Sequence, residues 1–167
     1  MNWLLHTVNV MNSVLPVRET FGVRRMLANK GGISVGKGTR ITHGVKFYDR
    51  HITIGSAVWI GMNTVIASTD KGHITIADNV DIAPCCRILS GTHEIGSPER
   101  RAGEGSGGEI VIGQGTWIGA STTILAGARI GSGSIIAAGS VVIAGEYPPN
   151  TLLAGIPAAV KRTLPNN

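Results

Sequence analysis

His93 stands at the one long break in an otherwise regular chain. Aliphatic residues arrive at a fixed step up to Ile88 and again from Ile112, and the polar stretch 94–110 (EIGSPERRAGEGSGGEI) lies between them, with His93 at its mouth. Imidazole titrates nearest neutrality among the side chains, so it can take a proton from a hydroxyl or amine and later give one up. Its other ring nitrogen needs an orienting acceptor, and Glu104, Glu94 or a backbone carbonyl of the same stretch could serve. A connection of this length is either functional or disordered. A second irregularity, DKGHIT at 70–75, places Asp70 and His73 where they could line an acceptor pocket. Arg100, Arg101, Lys161 and Arg162 are cations suited to phosphate or carboxylate groups. His43 and His51 are expected to be structural. Cys85 and Cys86 are neighbours, which disulfide geometry resists, and Cys86 falls at an inward position. Two unpaired thiols suit a reducing, cytoplasmic compartment.

What positions these groups is a six-residue beat. Val35, Ile41 and Phe47 lead it, followed by Ile54, Ile60 and Ile66, then Ile76, Ile82 and Ile88. Ile112, Ile118, Ile124, Ile130, Ile136 and Val142 resume it. VGKGTR, IGMNTV, IADNVD, IGQGTW, IGASTT, IGSGSI and IAAGSV are one motif rewritten. A fixed hexapeptide period predicts a parallel β-helix. Three hexapeptides close one triangular coil, so fifteen make about five coils. The fourth position is Gly or Asn at 38, 44, 63, 79, 91, 115, 127, 133, 139 and 145, residues that tolerate a left-handed backbone.

The division expected is an N-terminal helical cap over 1–32, the β-helix over 33–147 with the inserted loop 94–110, and a C-terminal segment over 148–167. Trp3, Leu4, Leu5, Val8, Met11, Val14 and Leu15 keep a helical spacing, and Pro16 separates a second short helix ending at Gly31-Gly32. Such a cap blunts the open edge of the first coil. Residues 1–30 could also meet a membrane surface peripherally. Nothing in 167 residues forms an apolar run long enough to span a bilayer. The net charge is +5, but the cations are scattered and not interleaved with aromatics, which argues against nucleic acid.

The run from Ile88 to Arg162 resembles the hexapeptide-repeat acyltransferases, closest to the maltose and galactoside O-acetyltransferase branch and to polysaccharide O-acetyltransferases. The residues that carry the resemblance are GTH before the charged loop, GE within it, IGQGTWIG after it and NTLLAGIPA at the end. The resemblance implies an all-β, left-handed parallel β-helix. It also implies a homotrimer with acetyl-CoA along a groove between prisms. It places the catalytic histidine at His93 and the loop glutamate at Glu104. It places coenzyme contacts at Trp117, Gly119, Ala120 and Ala138. Ala120 stands where the family has a small polar residue. A basic position falls on Ala159, with Lys161 and Arg162 nearby to meet the phosphates.

The function expected is acetyl-CoA-dependent O-acetylation of a sugar or glycan hydroxyl, with direct attack in a ternary complex. His93 acts as base, Glu104 as orienting group, and an N–H of the Gly119-Ala120 turn as oxyanion donor. Asp70, His73 and Arg100 would contact the acceptor, and no metal is needed. N-acetylation of an amino sugar is the alternative on the same scaffold. A zinc carbonic anhydrase needs three histidine ligands, which His73 and His93 do not suggest. A non-catalytic scaffold would not need a histidine at the one large insertion.

Overall fold

The computed structural model of the chain describes residues 3–16 and 19–165; residues 1, 2, 17, 18, 166 and 167 of the expected cap and C-terminal segment lie outside that set. Two helices, α1 (Trp3–Val14) and α2 (Phe21–Lys30), precede the repeats. The first coil comprises β1 (Ser34–Val35), β2 (Arg40–Ile41) and β3 (Lys46–Tyr48). The second comprises β4 (Ile52–Ile54), β5 (Trp59–Ile60) and β6 (Val65–Ala67), and the third β7 (Ile74–Ile76), β8 (Asp81–Ile82) and β9 (Arg87–Leu89). A hairpin of β10 (Gly91–Ile95) and β11 (Ala102–Gly107) then leaves the prism. The fourth coil is β12 (Ile110–Ile112), β13 (Trp117–Ile118) and β14 (Thr123–Leu125), and the fifth β15 (Ala128–Ile130), β16 (Ile135–Ile136) and β17 (Val141–Val142). A sixth begins with β18 (Gly145–Tyr147) and β19 (Thr151–Gly155), and β20 (Ala158–Thr163) folds back antiparallel on β19.

Strands of successive coils pair in parallel, so the prism has three faces. The first runs β1-β4-β7-β12-β15-β18, the second β2-β5-β8-β13-β16-β19-β20, and the third β17-β14-β9-β6-β3. The solenoid thus has five complete coils and two faces of a sixth, slightly more than the beat alone gave. The C-terminal segment forms a hairpin on the second face. The inserted polar stretch is likewise ordered as a hairpin.

Every aliphatic residue of the beat from Val35 to Val142 is buried. Two residues earlier in most repeats sits a small buried partner, such as Val45, Thr64, Cys86, Thr116, Thr122 or Ser134. Each coil thus offers a branched aliphatic and a small residue to the next, which fills the axis without large rings. The corners require positive φ. Gly44, Asn63, Cys85, Ser121 and Gly139 form one such column between the second and third faces, with φ from 58° at Asn63 to 73° at Gly44. Gly91, counted with these from the sequence, is instead paired with Gly107 in the hairpin.

Candidate active site

Two insertions leave the prism at the same corner, between the third and first faces, one coil apart. The first follows β6: Thr69 and Gly72 bridge each other, so 69–72 form a tight projecting turn. The second is the β10–β11 hairpin, which follows β9. Ser90 fastens them together, its hydroxyl donating to the Gly72 carbonyl at 2.6 Å. A Cβ on Gly72 would lie 2.8 Å from Ser90 atoms, so glycine is what lets the two insertions touch. A cleft of about 350 Å³ opens between them, lined by Thr69, Asp70, Lys71, Thr92, His93 and Ser106 among others.

His93 lies opposite Gly105 in the hairpin register. Its Nδ1 is 3.1 Å from the Gly103 carbonyl oxygen. A carbonyl only accepts, so Nδ1 carries the proton and Nε2 is the basic nitrogen. The orienting acceptor is therefore a backbone carbonyl, and not the Glu104 carboxylate. Glu104 instead meets Lys71 Nζ at 3.4 Å and is largely exposed. Lys71 Nζ also donates to the Gly105 carbonyl at 2.7 Å, which holds an ammonium at the rim of the cleft. A Cβ on Gly105 would meet nothing, so the strand facing His93 is open. Thr69 Oγ1 is buried and has no hydrogen-bond partner among the described residues, although Thr69 lines the cleft.

Of the expected acceptor contacts, Asp70 lines the cleft and the other two do not. His73 Nε2 is bonded to Thr53 Oγ1 at 3.1 Å on the first face, because strand pairing of β7 with β4 carries it into the stack. Arg100 sits in the turn at the tip of the hairpin, where its N–H donates to the Ser97 carbonyl. Thr69, Lys71 and Ser106 were not singled out from sequence. The irregularity at 70–75 was the only signal for Lys71, Thr69 lies just before it, and Ser106 looked like spacer in a glycine-rich run. His51 pairs with Asp49 at 2.9 Å, so His51, His73 and His93 each have a different partner.

The expected coenzyme contacts form a second group elsewhere on the prism. Trp117 is 56% exposed on the second face, so it is not core. Gly119 and Ala120 follow it into the corner between the second and third faces, and Ala138 stacks there one coil on. A Cβ on Gly119 would lie 2.5 Å from the Ala138 nitrogen, so this wall is tight and flat. The Gly119 N–H donates to the Ile136 carbonyl at 2.8 Å. It is consumed by the coil stack and cannot serve as an oxyanion donor. Lys161 and Arg162 are exposed on β20, three strands along from Trp117, roughly 14 Å at ordinary strand spacing. The two groups occupy different corners of the prism: the cleft lies between the third and first faces, and the wall between the second and third.

The family described as bacterial transferase hexapeptide (six repeats) matches residues 109–144. No curated protein matches the chain in sequence. Among solved structures, a maltose O-acetyltransferase from Clostridium difficile 630 is 26% identical, with 99% of this chain and 87% of that one covered at a TM-score of 0.83. A hexapeptide-repeat-containing acetyltransferase from Vibrio cholerae O1 biovar eltor, complexed with acetyl coenzyme A, is 28% identical over 99% and 87% of the two chains at 0.83. A galactoside acetyltransferase in complex with coenzyme A is 28% identical over 99% and 81% at 0.85. By repeat and by fold the chain is similar to these hexapeptide-repeat acetyltransferases.

Proposed function

We propose that the protein transfers an acetyl group from acetyl-CoA to a hydroxyl of a sugar or glycan, as in the synthesis of a cytoplasmic polysaccharide precursor. The observation that carries this reading is His93, whose Nδ1–H is tied to the Gly103 carbonyl while the ring borders the cleft. That arrangement leaves Nε2 to accept the proton of an acceptor hydroxyl as its oxygen attacks the thioester carbonyl. The C–S bond then breaks, and the imidazolium returns the proton to the departing sulfur. Such a base contributes roughly 10²- to 10⁴-fold. The unpartnered Thr69 hydroxyl and the Asp70 carboxylate orient the acceptor. Lys71 supplies positive charge at the rim, with Glu104 steadying it.

The active unit is a homotrimer. The His93 cleft of one copy faces the Trp117, Gly119, Ala120 and Ala138 wall of the next, where the coenzyme arm lies. Lys161 and Arg162 meet its phosphates. The support is the separation of the two groups on one chain, together with the coenzyme-bound relatives of the same fold. The test measures thiol release from acetyl-CoA with a panel of sugars for wild type and His93→Ala. A fall of at least about a hundredfold is expected. Undiminished turnover removes His93 from the reaction. Wild-type turnover of amine but not hydroxyl acceptors, only weakly lowered by His93→Ala, would make the enzyme an N-acetyltransferase.

A further inference from the structure

Helix α1 has no charged residue from Trp3 to Val14, and it is apolar on both sides. Leu5 and Val8 are buried against the first coil, while Trp3, Val10 and Val14 are 75%, 45% and 67% exposed. Those three stand at i, i+7 and i+11, so they form one stripe along the outward side. A second apolar stripe on a helix that already buries Leu5 and Val8 marks a surface that meets another apolar medium. Beside the stripe, Lys46 and Tyr48 share a groove with Val10 and Val14. On the same side of the helix, Arg50 borders an adjoining cavity of about 460 Å³ with His6 and Tyr48.

Charge is divided the same way. Residues 1–50 hold eight Lys and Arg against two Asp and Glu, whereas 51–167 hold seven against eight. The whole excess of positive charge therefore belongs to the cap and first coil. Arg24 is buried among Thr20 and Leu15, so it takes no part in the exposed surface. Among the described residues no helix is long and apolar enough to cross a membrane.

We propose that the cap end of the prism docks on an anionic lipid surface, with the Trp3–Val10–Val14 stripe lying in the interface and Lys46 and Arg50 meeting lipid headgroups. An exposed apolar stripe with a tryptophan and flanking cations has the composition of an interfacial helix, and tryptophan and tyrosine favour that depth. Charge selects lipid over a second copy of this chain, because two identical cationic ends repel. The inference does not rest on the reaction proposed above.

The experiment floats the full chain with vesicles of phosphatidylcholine alone or with one quarter phosphatidylglycerol, at low and high salt. Flotation only with the anionic vesicles, weakened by salt, is expected. Each headgroup contact is worth about fivefold in partition, so Lys46→Glu with Arg50→Glu should lower binding at least tenfold. Val10→Ser with Val14→Ser should do the same with native melting and native mass unchanged, since both side chains face outward. Equal flotation with neutral and anionic vesicles, or none with either, overturns the proposal. So does a Val10→Ser/Val14→Ser variant whose native mass falls while vesicle binding is unchanged, which would make the stripe a contact between copies.

Discussion

The side-chain amide of Asn9 pairs with both backbone groups of Phe47, as a neighbouring strand would. Asn9 Nδ2 donates to the Phe47 carbonyl at 2.8 Å, and the Phe47 N–H donates to Asn9 Oδ1 at 2.9 Å. Asn29 does the same for Val35, at 3.1 Å in each direction. Asn12 Nδ2 adds a bond to the Val45 carbonyl, and the Asn12 backbone carbonyl accepts from the Gly44 N–H. Two helices thus close the open edge of the first coil with asparagine amides in place of a strand. Asn9→Ala should cost about 1–3 kcal/mol, because it leaves buried backbone groups of Phe47 unpaired. Urea unfolding would measure it, and Asn9→Asp should recover only the bond accepted from the Phe47 N–H.

Glu104 and His93 make a different point about roles. Because the Gly103 carbonyl orients the imidazole, the Glu104 carboxylate is free to pair with Lys71 in an exposed contact. Exposed ion pairs contribute about 0–1 kcal/mol. Glu104→Gln should therefore reduce kcat/KM by less than about fivefold, against a hundredfold or more for His93→Ala. Steady-state kinetics of the two variants side by side would decide. A Glu104→Gln loss as deep as that of His93→Ala would return the carboxylate to the reaction itself.

Cys85 and Cys86 are adjacent in sequence and opposite in environment. Cys85 is exposed and Cys86 fully buried. Burial raises the Cys86 thiol above its ordinary range, and its sulfur bonds to the Ala83 and Gly119 carbonyls at 3.2 and 3.3 Å. The native protein should release one equivalent of chromophore with a thiol reagent at pH 8, and two once denatured. Cys85 also holds φ at 64° in a corner column otherwise made of Gly, Asn and Ser. Cys85→Asn should stabilise by up to about 1 kcal/mol, about 2–4 °C in Tm, since asparagine adopts that region at lower cost.

The solenoid was legible because its signal is local. One aliphatic residue every six, with Gly or Asn at the corner, states both the core and the turn. The cleft was only half legible. His93 was visible as a break in the beat, but Thr69 and Lys71 reach it by a stacking relation between coils that no short motif records. Asn9, Asn12 and Asn29 were similarly silent. Asparagine within a helix is unfavourable, and three of them in two short helices were a signal whose meaning depends on the strand edge they meet. Glu104 is a different case: the imidazole bonds to the backbone carbonyl of the adjacent Gly103, a partner that no side-chain motif announces.

The separation of His93 from the Trp117 wall leads to the sharpest prediction about assembly. If the site lies between copies, a subunit lacking the base and a subunit with a blocked wall can repair each other. His93→Ala removes the base. Ala138→Trp fills the exposed corner where the coenzyme arm is proposed to lie, without entering the core. Each variant alone should be inactive. When the two are unfolded, mixed in equal amounts and refolded, about three quarters of cyclic trimers contain both kinds of subunit. Every such trimer has one interface in which an intact His93 cleft meets an intact wall, so activity should return to about a quarter of wild type. Separately refolded controls mixed afterwards should stay inactive. A refolded mixture that also stays inactive, at native trimer mass, would mean that base and wall work within a single chain.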